Sequence, residues 1–120
     1  MDVDEKLWGL TDLTGYPIEE GMYLGTEDIY FVYVYEDERP SFFADDESFA
    51  DTAYIQLSFF SPKNHEYKRD KKLIRNYLEK NGFQVTSIQS WIDKKAITGT
   101  EDVRHTTFSI NITQQRMQEE

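Results

Sequence analysis

Tyr30-Phe31-Val32-Tyr33-Val34-Tyr35 and Ala53-Tyr54-Ile55-Gln56-Leu57-Ser58-Phe59-Phe60 are two runs of aromatic and β-branched residues. The second alternates: Ala53, Ile55, Leu57 and Phe59 share one face, and Tyr54, Gln56, Ser58 and Phe60 the other. Both read as strands. The first is apolar on both faces, which predicts a central strand covered on each side. Between them, Glu36 to Asp51 holds seven carboxylates and one arginine. This stretch reads as a long acidic loop over residues 37–51, longer than a hairpin connection requires. Phe42, Phe43 and Phe49 sit among its acids, where a purely solvated segment would carry no aromatics. The reading that follows is an interaction arm; the plainer one is a loop whose phenylalanines tuck back onto their own sheet.

Outward from this block, Ser61-Pro62 reads as the start of a helix, with serine as cap and proline at the first position. The helix carries Tyr67, Leu73, Ile74, Tyr77 and Leu78 as its apolar stripe and stops at Asn81-Gly82. Gln84 to Asp93 and Val103 to Thr113 read as two further strands. The first has Ile88 and Ile92 opposite Val85 and Trp91; the second has Phe108, Ile110 and Ile112 opposite His105, Thr107, Ser109 and Asn111. Asp2 to Leu13 reads as a short helix with Leu7, Leu10 and Leu13 on one side, closed by Gly15-Tyr16-Pro17. Ile18 to Thr26 reads as an irregular extended run, and residues 114–120 as a flexible polar tail. The expected fold is therefore α+β: residues 1–120 as a single domain, with a twisted, mainly antiparallel sheet of about four strands packed against helices on one face. The element order is helix-strand-strand-helix-strand-strand.

Composition bounds the function. The 120 residues hold eighteen aromatics and no cysteine, which excludes disulfides and thiolate metal sites. No apolar run reaches the roughly 20 residues that a membrane-spanning helix needs, and the acidic start, Met1-Asp2-Val3-Asp4-Glu5, is unlike a basic signal sequence. The net charge of −10 is segregated: residues 1–51 carry fifteen acids against two bases, and residues 52–120 carry eight against eleven. A field of that sign opposes sequence-specific nucleic-acid binding but suits a basic partner, or acidic-to-basic contact between identical copies. No catalytic, cofactor or metal residues are expected. His65, placed in the first helical turn, and His105, on a strand, lack metal-ligand spacing, and no serine lies in a G-x-S-x-G elbow. Asp45, Asp46, Glu47 and Asp51 lack the ligand alternation and glycine of a calcium loop. The chain reads as a non-enzymatic protein. Its candidate interaction residues are Asp37, Glu38, Phe42, Phe43, Asp45, Asp46, Glu47 and Phe49 on the arm, with Lys68, Arg69, Lys72 and Arg75 on the basic helix.

Several short strings carry a resemblance. Tyr30 to Tyr35, Ala44-Asp45-Asp46, Ile55 to Ser61, the charged helix Glu66 to Lys80 and the Asn81-Gly82-Phe83 exit resemble tail terminator proteins of long-tailed bacteriophages and prophages. These are also called tail-completion or head–tail joining proteins. The likeness covers roughly residues 14 to 112 as an order of elements. It implies a structural virion protein, assembled in the bacterial cytoplasm, whose hexameric ring ends the tail tube and meets the head connector. Its partners would be itself, the tube protein and the head-completion protein, with no membrane and no cofactor. The arm at Asp37–Asp51 would match the family's long projecting loop. The competing readings are an acidic DNA mimic or inhibitor, which would spread its carboxylates over one long face, and a general α+β adaptor domain.

Overall fold

The computed structural model describes residues 2–44, 47–94 and 102–115. In chain order these form α1 (Val3–Thr14), β1 (Ile18–Glu20), β2 (Tyr30–Ala44), β3 (Glu47–Pro62), α2 (Tyr67–Lys80), β4 (Gln84–Lys94) and β5 (Asp102–Gln115). The fold is α+β, with one five-stranded sheet in the order β1-β2-β3-β5-β4. The sheet is mixed, because β1 runs parallel to β2 while the other neighbours are antiparallel.

The strand missing from the sequence reading is Ile18–Glu20, taken there as irregular. Phe31 N–H donates to the Pro17 carbonyl at 2.8 Å and Gly21 N–H to the Tyr33 carbonyl at 2.9 Å, which draws three residues alongside β2. Gly21 then turns the chain away with φ +82°, a conformation open to glycine.

The acidic stretch is strand too. The β2–β3 ladder runs unbroken in direction from Tyr30↔Phe60 to Ala44↔Glu47, with register shifts after Tyr35 and on either side of Phe42. The expected loop over residues 37–51 is thus a β-hairpin arm wherever it is described; Asp45 and Asp46 lie outside the described residues. Among the described residues, β5 flanks β3 as far as Ala50↔Gln115, and the outermost hairpin pairs have no third strand beside them. Gln114 and Gln115, expected in the tail, belong to β5, and residues 116–120 lie outside the described residues. The arm makes the molecule long, 58 × 26 × 24 Å, with a radius of gyration of 16.4 Å. A compact chain of this length would have about 13.6 Å.

Both helices cover one face of the sheet. Val3, Leu7 and Leu10 from α1 and Ile74 and Leu78 from α2 are buried against Phe31, Tyr33, Ile55, Leu57, Phe59, Phe108 and Ile110. β2 is therefore covered on one side only, and Val34 on the other is 38% exposed. Asp2 caps α1 by accepting from Glu5 N–H at 2.8 Å, and Gly15 closes it in the left-handed region. The buried positions of α1 step 3, 7, 10, so Leu13 falls off the stripe and is 44% exposed.

The start of α2 differs from the sequence reading. Ser61 and Pro62 pair with Arg104 and Val103 as the last residues of β3. Proline is tolerated at such a strand end, where its missing donor breaks no interior bond. A turn follows, His65 N–H donating to the Pro62 carbonyl at 3.0 Å, so His65 precedes the helix. The far end behaves as read: Gly82 has φ +93°, its N–H reaches Glu79 O at 3.2 Å, and Phe83 N–H reaches Leu78 O at 2.9 Å.

α1 and α2 touch where Gly9 meets Tyr77. A Cβ on Gly9 would lie 2.0 Å from Tyr77 Oη, which itself donates to the Lys6 carbonyl at 2.6 Å. Gly9→Ala gains about 0.5–1 kcal/mol of helix propensity. It costs roughly 1–3 kcal/mol in overpacking, and about 1 kcal/mol more if the Tyr77 bond breaks. The clash wins, so urea unfolding should show a loss of about 1–2 kcal/mol at constant slope, partly recovered by adding Tyr77→Phe. An unchanged midpoint would reject the close approach.

Candidate interaction surfaces

The uncovered face of the sheet carries an aromatic row that crosses four strands. Register places Tyr30 opposite Phe60, Phe60 opposite His105, and His105 opposite Trp91. The ring centroids are 4.9, 4.2 and 4.3 Å apart in that order, and Tyr23 stacks on the outer side of Tyr30 at 4.2 Å. The inner rings spend their faces on one another. The row's signal in the sequence was parity alone. Phe60 and His105 were each placed on the less apolar side of their strands, and nothing local said that the two positions were neighbours. Val85 was grouped with Trp91, but a register shift between Val85 and Ser87 turns Val85 toward Ile110 and the core. Beyond the row, the middle of the face is neutral, occupied by Val32, Val34, Gln56, Ser58, Gln89, Thr107, Ser109 and Asn111.

On the arm, the shift after Tyr35 puts Asp37 opposite Tyr54. Asp37 accepts from Arg39 Nε at 2.5 Å, and the Arg39 guanidinium lies 5.6 Å from the centre of the Tyr54 ring. That bond holds the Asp37 carboxyl below its usual range. Glu38 faces Ala53, Phe42 faces Ala50, Phe43 faces Ser48 and Ala44 faces Glu47, with Phe49 also within β3. The predicted arm residues inside the described stretches therefore share one hairpin. Lys68, Arg69, Lys72 and Arg75 are exposed together on α2, in a separate layer. Arg75 is already engaged, donating to Glu79 at 2.9 Å one turn on.

Sequence reasoning missed two partly buried polar clusters. Asp4 accepts from both Tyr33 Oη, at 2.9 Å, and Tyr35 Oη, at 3.0 Å, while Trp8 Nε1 donates to Tyr33 Oη at 3.2 Å. Burial first, then the Asp4 bond, pushes both phenols well above their ordinary range. Asp70, buried on the inner face of α2, accepts from Tyr16 Oη at 3.1 Å, and His65 Nε2 lies 2.5 Å from the same oxygen. Burial and the Asp70 charge raise the Tyr16 phenol. These bonds fasten α1 to β2, and the chain after α1 to α2. Among the described residues, no three His, Asp or Glu side chains gather as metal ligands, and no helix is long and apolar enough to cross a membrane.

A shallow depression of about 1060 Å³ lies over α1, lined by Glu5, Trp8, Asp12, Leu13, Ile18 and Tyr77. Trp8 is 52% exposed there. On α2, Lys68, Arg69, Lys71 and Lys72 surround a second recess of about 500 Å³.

His105 supplies a pH test of the aromatic row. Burial pushes its imidazole below 6.5, and Asp93, whose Oδ2 lies 3.6 Å from His105 Nδ1, partly offsets this. The unfolded chain then binds more protons than the folded one between the lowered value and about 6.5. The contribution to stability is complete above 6.5 and falls away as pH drops through the lowered value. NMR titration should give a His105 midpoint below 6.5, and Asp93→Asn should move it lower still. A midpoint above 6.5 would contradict the buried stack.

No protein family and no curated protein matches this sequence. A solved structure whose name states no function is similar in fold, with a TM-score of 0.55 and 14% identity over 98% of this chain and 92% of its own. At that identity the likeness shows a shared fold.

Proposed function

We propose that this chain is a structural, non-enzymatic subunit of a long-tailed phage or prophage tail, forming a ring that ends the tail tube and meets the head connector. The observation that carries the reading is the arm. A hairpin rich in carboxylates projects from a sheet whose other layer presents a basic helix. A protein that works by assembly needs such parts: a rigid body, a projecting contact, and two unlike patches for a contact that closes by rotation. On this reading the ring is a hexamer in the virion, with the tube protein and head-completion protein as partners, and the acidic arm lines the lumen or grips the tube. A negative lining lets DNA pass without adhering.

The DNA-mimic alternative finds less support. A mimic needs carboxylates along one continuous face, whereas here the sheet face is neutral in its middle and α2 is basic.

Asp45→Lys, Asp46→Lys and Glu47→Lys together should leave the folded monomer intact by circular dichroism while abolishing binding to assembled tail tubes and lowering head-to-tail joining by at least about tenfold, since like charges at a docking site cost several kcal/mol. Undiminished joining by the triple variant would remove the arm from the mechanism and with it the main support for the reading.

A further inference from the structure

We infer that the free edge of β4 takes up an extended segment of a different protein as an added strand, one whose side chains alternate between acidic and apolar. β4 ends the sheet, so about half of its backbone N–H and C=O groups point to a side with no partner strand among the described residues. From Ser87↔Ser109 to Asp93↔Val103 its pairing with β5 is unbroken, so this stretch of edge is regular. Folded proteins usually guard such an edge with charge, proline or bulges. The opposite side of this sheet is guarded in that way. β1 lies beside β2 only at Phe31, Val32 and Tyr33, and the edge beyond carries Glu36, Asp37, Glu38, Arg39 and Pro40, with a register shift after Tyr35. Residues 84–92 of β4 hold no charge and no proline, and the one shift there lies before Ser87. An edge left open while its counterpart is closed is suited to strand addition.

The two sides of the edge set what the added strand must carry. On the helix side, α2 packs beside β4 and turns Tyr77 toward α1, where it donates to the Lys6 carbonyl. Lys71 stands about 120° and Lys68 about 180° around the helix from Tyr77, so both lie on the flank of α2 away from α1. Tyr67 confirms that side: its ring centre is 4.0 Å from the Arg104 guanidinium of β5 and 5.7 Å from Lys71 Nζ. No carboxylate of the described residues pairs with Lys68 or Lys71. On the uncovered side, Trp91 ends the aromatic row, 39% exposed, with His105 against its inner flank. Side chains of a strand alternate, so an added segment sends every second residue toward the two lysines and the others toward Trp91. Carboxylates suit the first set and apolar groups the second. A second copy is the wrong occupant. Antiparallel pairing of β4 with β4 in one continuous sheet keeps both helices on the same side and turns their basic flanks toward each other, which like charge opposes. The inference goes beyond the tail reading and does not rest on it.

The probe is a fluorescein-labelled peptide of about nine residues, a common strand length, alternating glutamate and valine. Added to the full chain, it should bind saturably by fluorescence anisotropy and slow amide hydrogen exchange within residues 87–93. A peptide with lysine in place of glutamate should bind at least about tenfold more weakly, as should the glutamate peptide to a Lys68→Glu, Lys71→Glu double variant shown folded by circular dichroism. Methylating every peptide nitrogen should abolish binding, because the added strand then has no donors. Absent binding, equal binding of the two peptides, or slowed exchange elsewhere instead of in β4 overturns the inference. So does slowed exchange in residues 87–93 on concentrating the chain without peptide, which would give the edge to a second copy. No tail component enters the measurement, so this inference and the tail reading can fail separately.

Discussion

Everything in this molecule is hung on the register of β2 against β3. The ladder from Tyr30↔Phe60 to Ala44↔Glu47 seats β1 on one side, through β2, and β5 on the other, through β3. Side chains alternate, so a slip by one residue would turn Phe31, Tyr33, Ile55, Leu57 and Phe59 away from the helices and destroy the core. The core side chains specify the register near Tyr30–Tyr35, and the shift after Tyr35 marks where that specification ends. Past it, Asp37 stands on the uncovered face opposite Tyr54, bound to Arg39, and the hairpin continues as an arm. Such bulges bend and twist a strand, which is how one pair of strands can serve both a packed sheet and a projection.

Covering only one face leaves a second constraint. An uncovered sheet face loses the burial that a second helical layer would supply, and this one makes up part of it by cross-strand stacking. Four contacts link Tyr23, Tyr30, Phe60, His105 and Trp91. At about 0.5–1.5 kcal/mol each beyond simple burial, they amount to roughly 2–6 kcal/mol, comparable with the whole stability margin of a small domain. The row also pins the segment after β1 through Tyr23, whose hydroxyl accepts from Glu27 N–H at 3.0 Å. The aromatic richness of the composition is thus divided between a core and an external brace.

Local signals in the sequence were sound where the structure answers to local physics. The Gly15 and Gly82 stops, the alternation of Ala53 to Phe60 and the polarity of Val103 to Thr113 all follow from one residue and its near neighbours. Misreadings arose where a distant strand decides. Ser61-Pro62 has the chemistry of a helix start, but pairing with Arg104 and Val103 holds it in the sheet. The carboxylates Asp37, Glu38, Glu47 and Asp51 lower strand propensity, yet backbone pairing between two facing strands carries them along. Val85 was given the wrong face because no residue in the sequence announces the shift before Ser87. The depression over α1 had no signal either: Leu7, Leu10 and Leu13 look like one stripe until the 3.6-residue turn separates the third from the first two.

Charge segregation and apolar exposure do different work on these surfaces. Exposed ion pairs contribute about 0–1 kcal/mol each and are screened over roughly 8 Å at physiological salt. Exposed pairs such as Arg39–Asp37 and Arg75–Glu79 therefore add little to the stability of the fold. Burial is the larger resource, at about 1.5–3 kcal/mol for each fully buried aliphatic side chain, and Leu7, Leu10, Ile74 and Leu78 supply it where the helices meet the sheet. The segregated charge acts over longer range, and sets which surfaces can approach one another before any apolar contact forms.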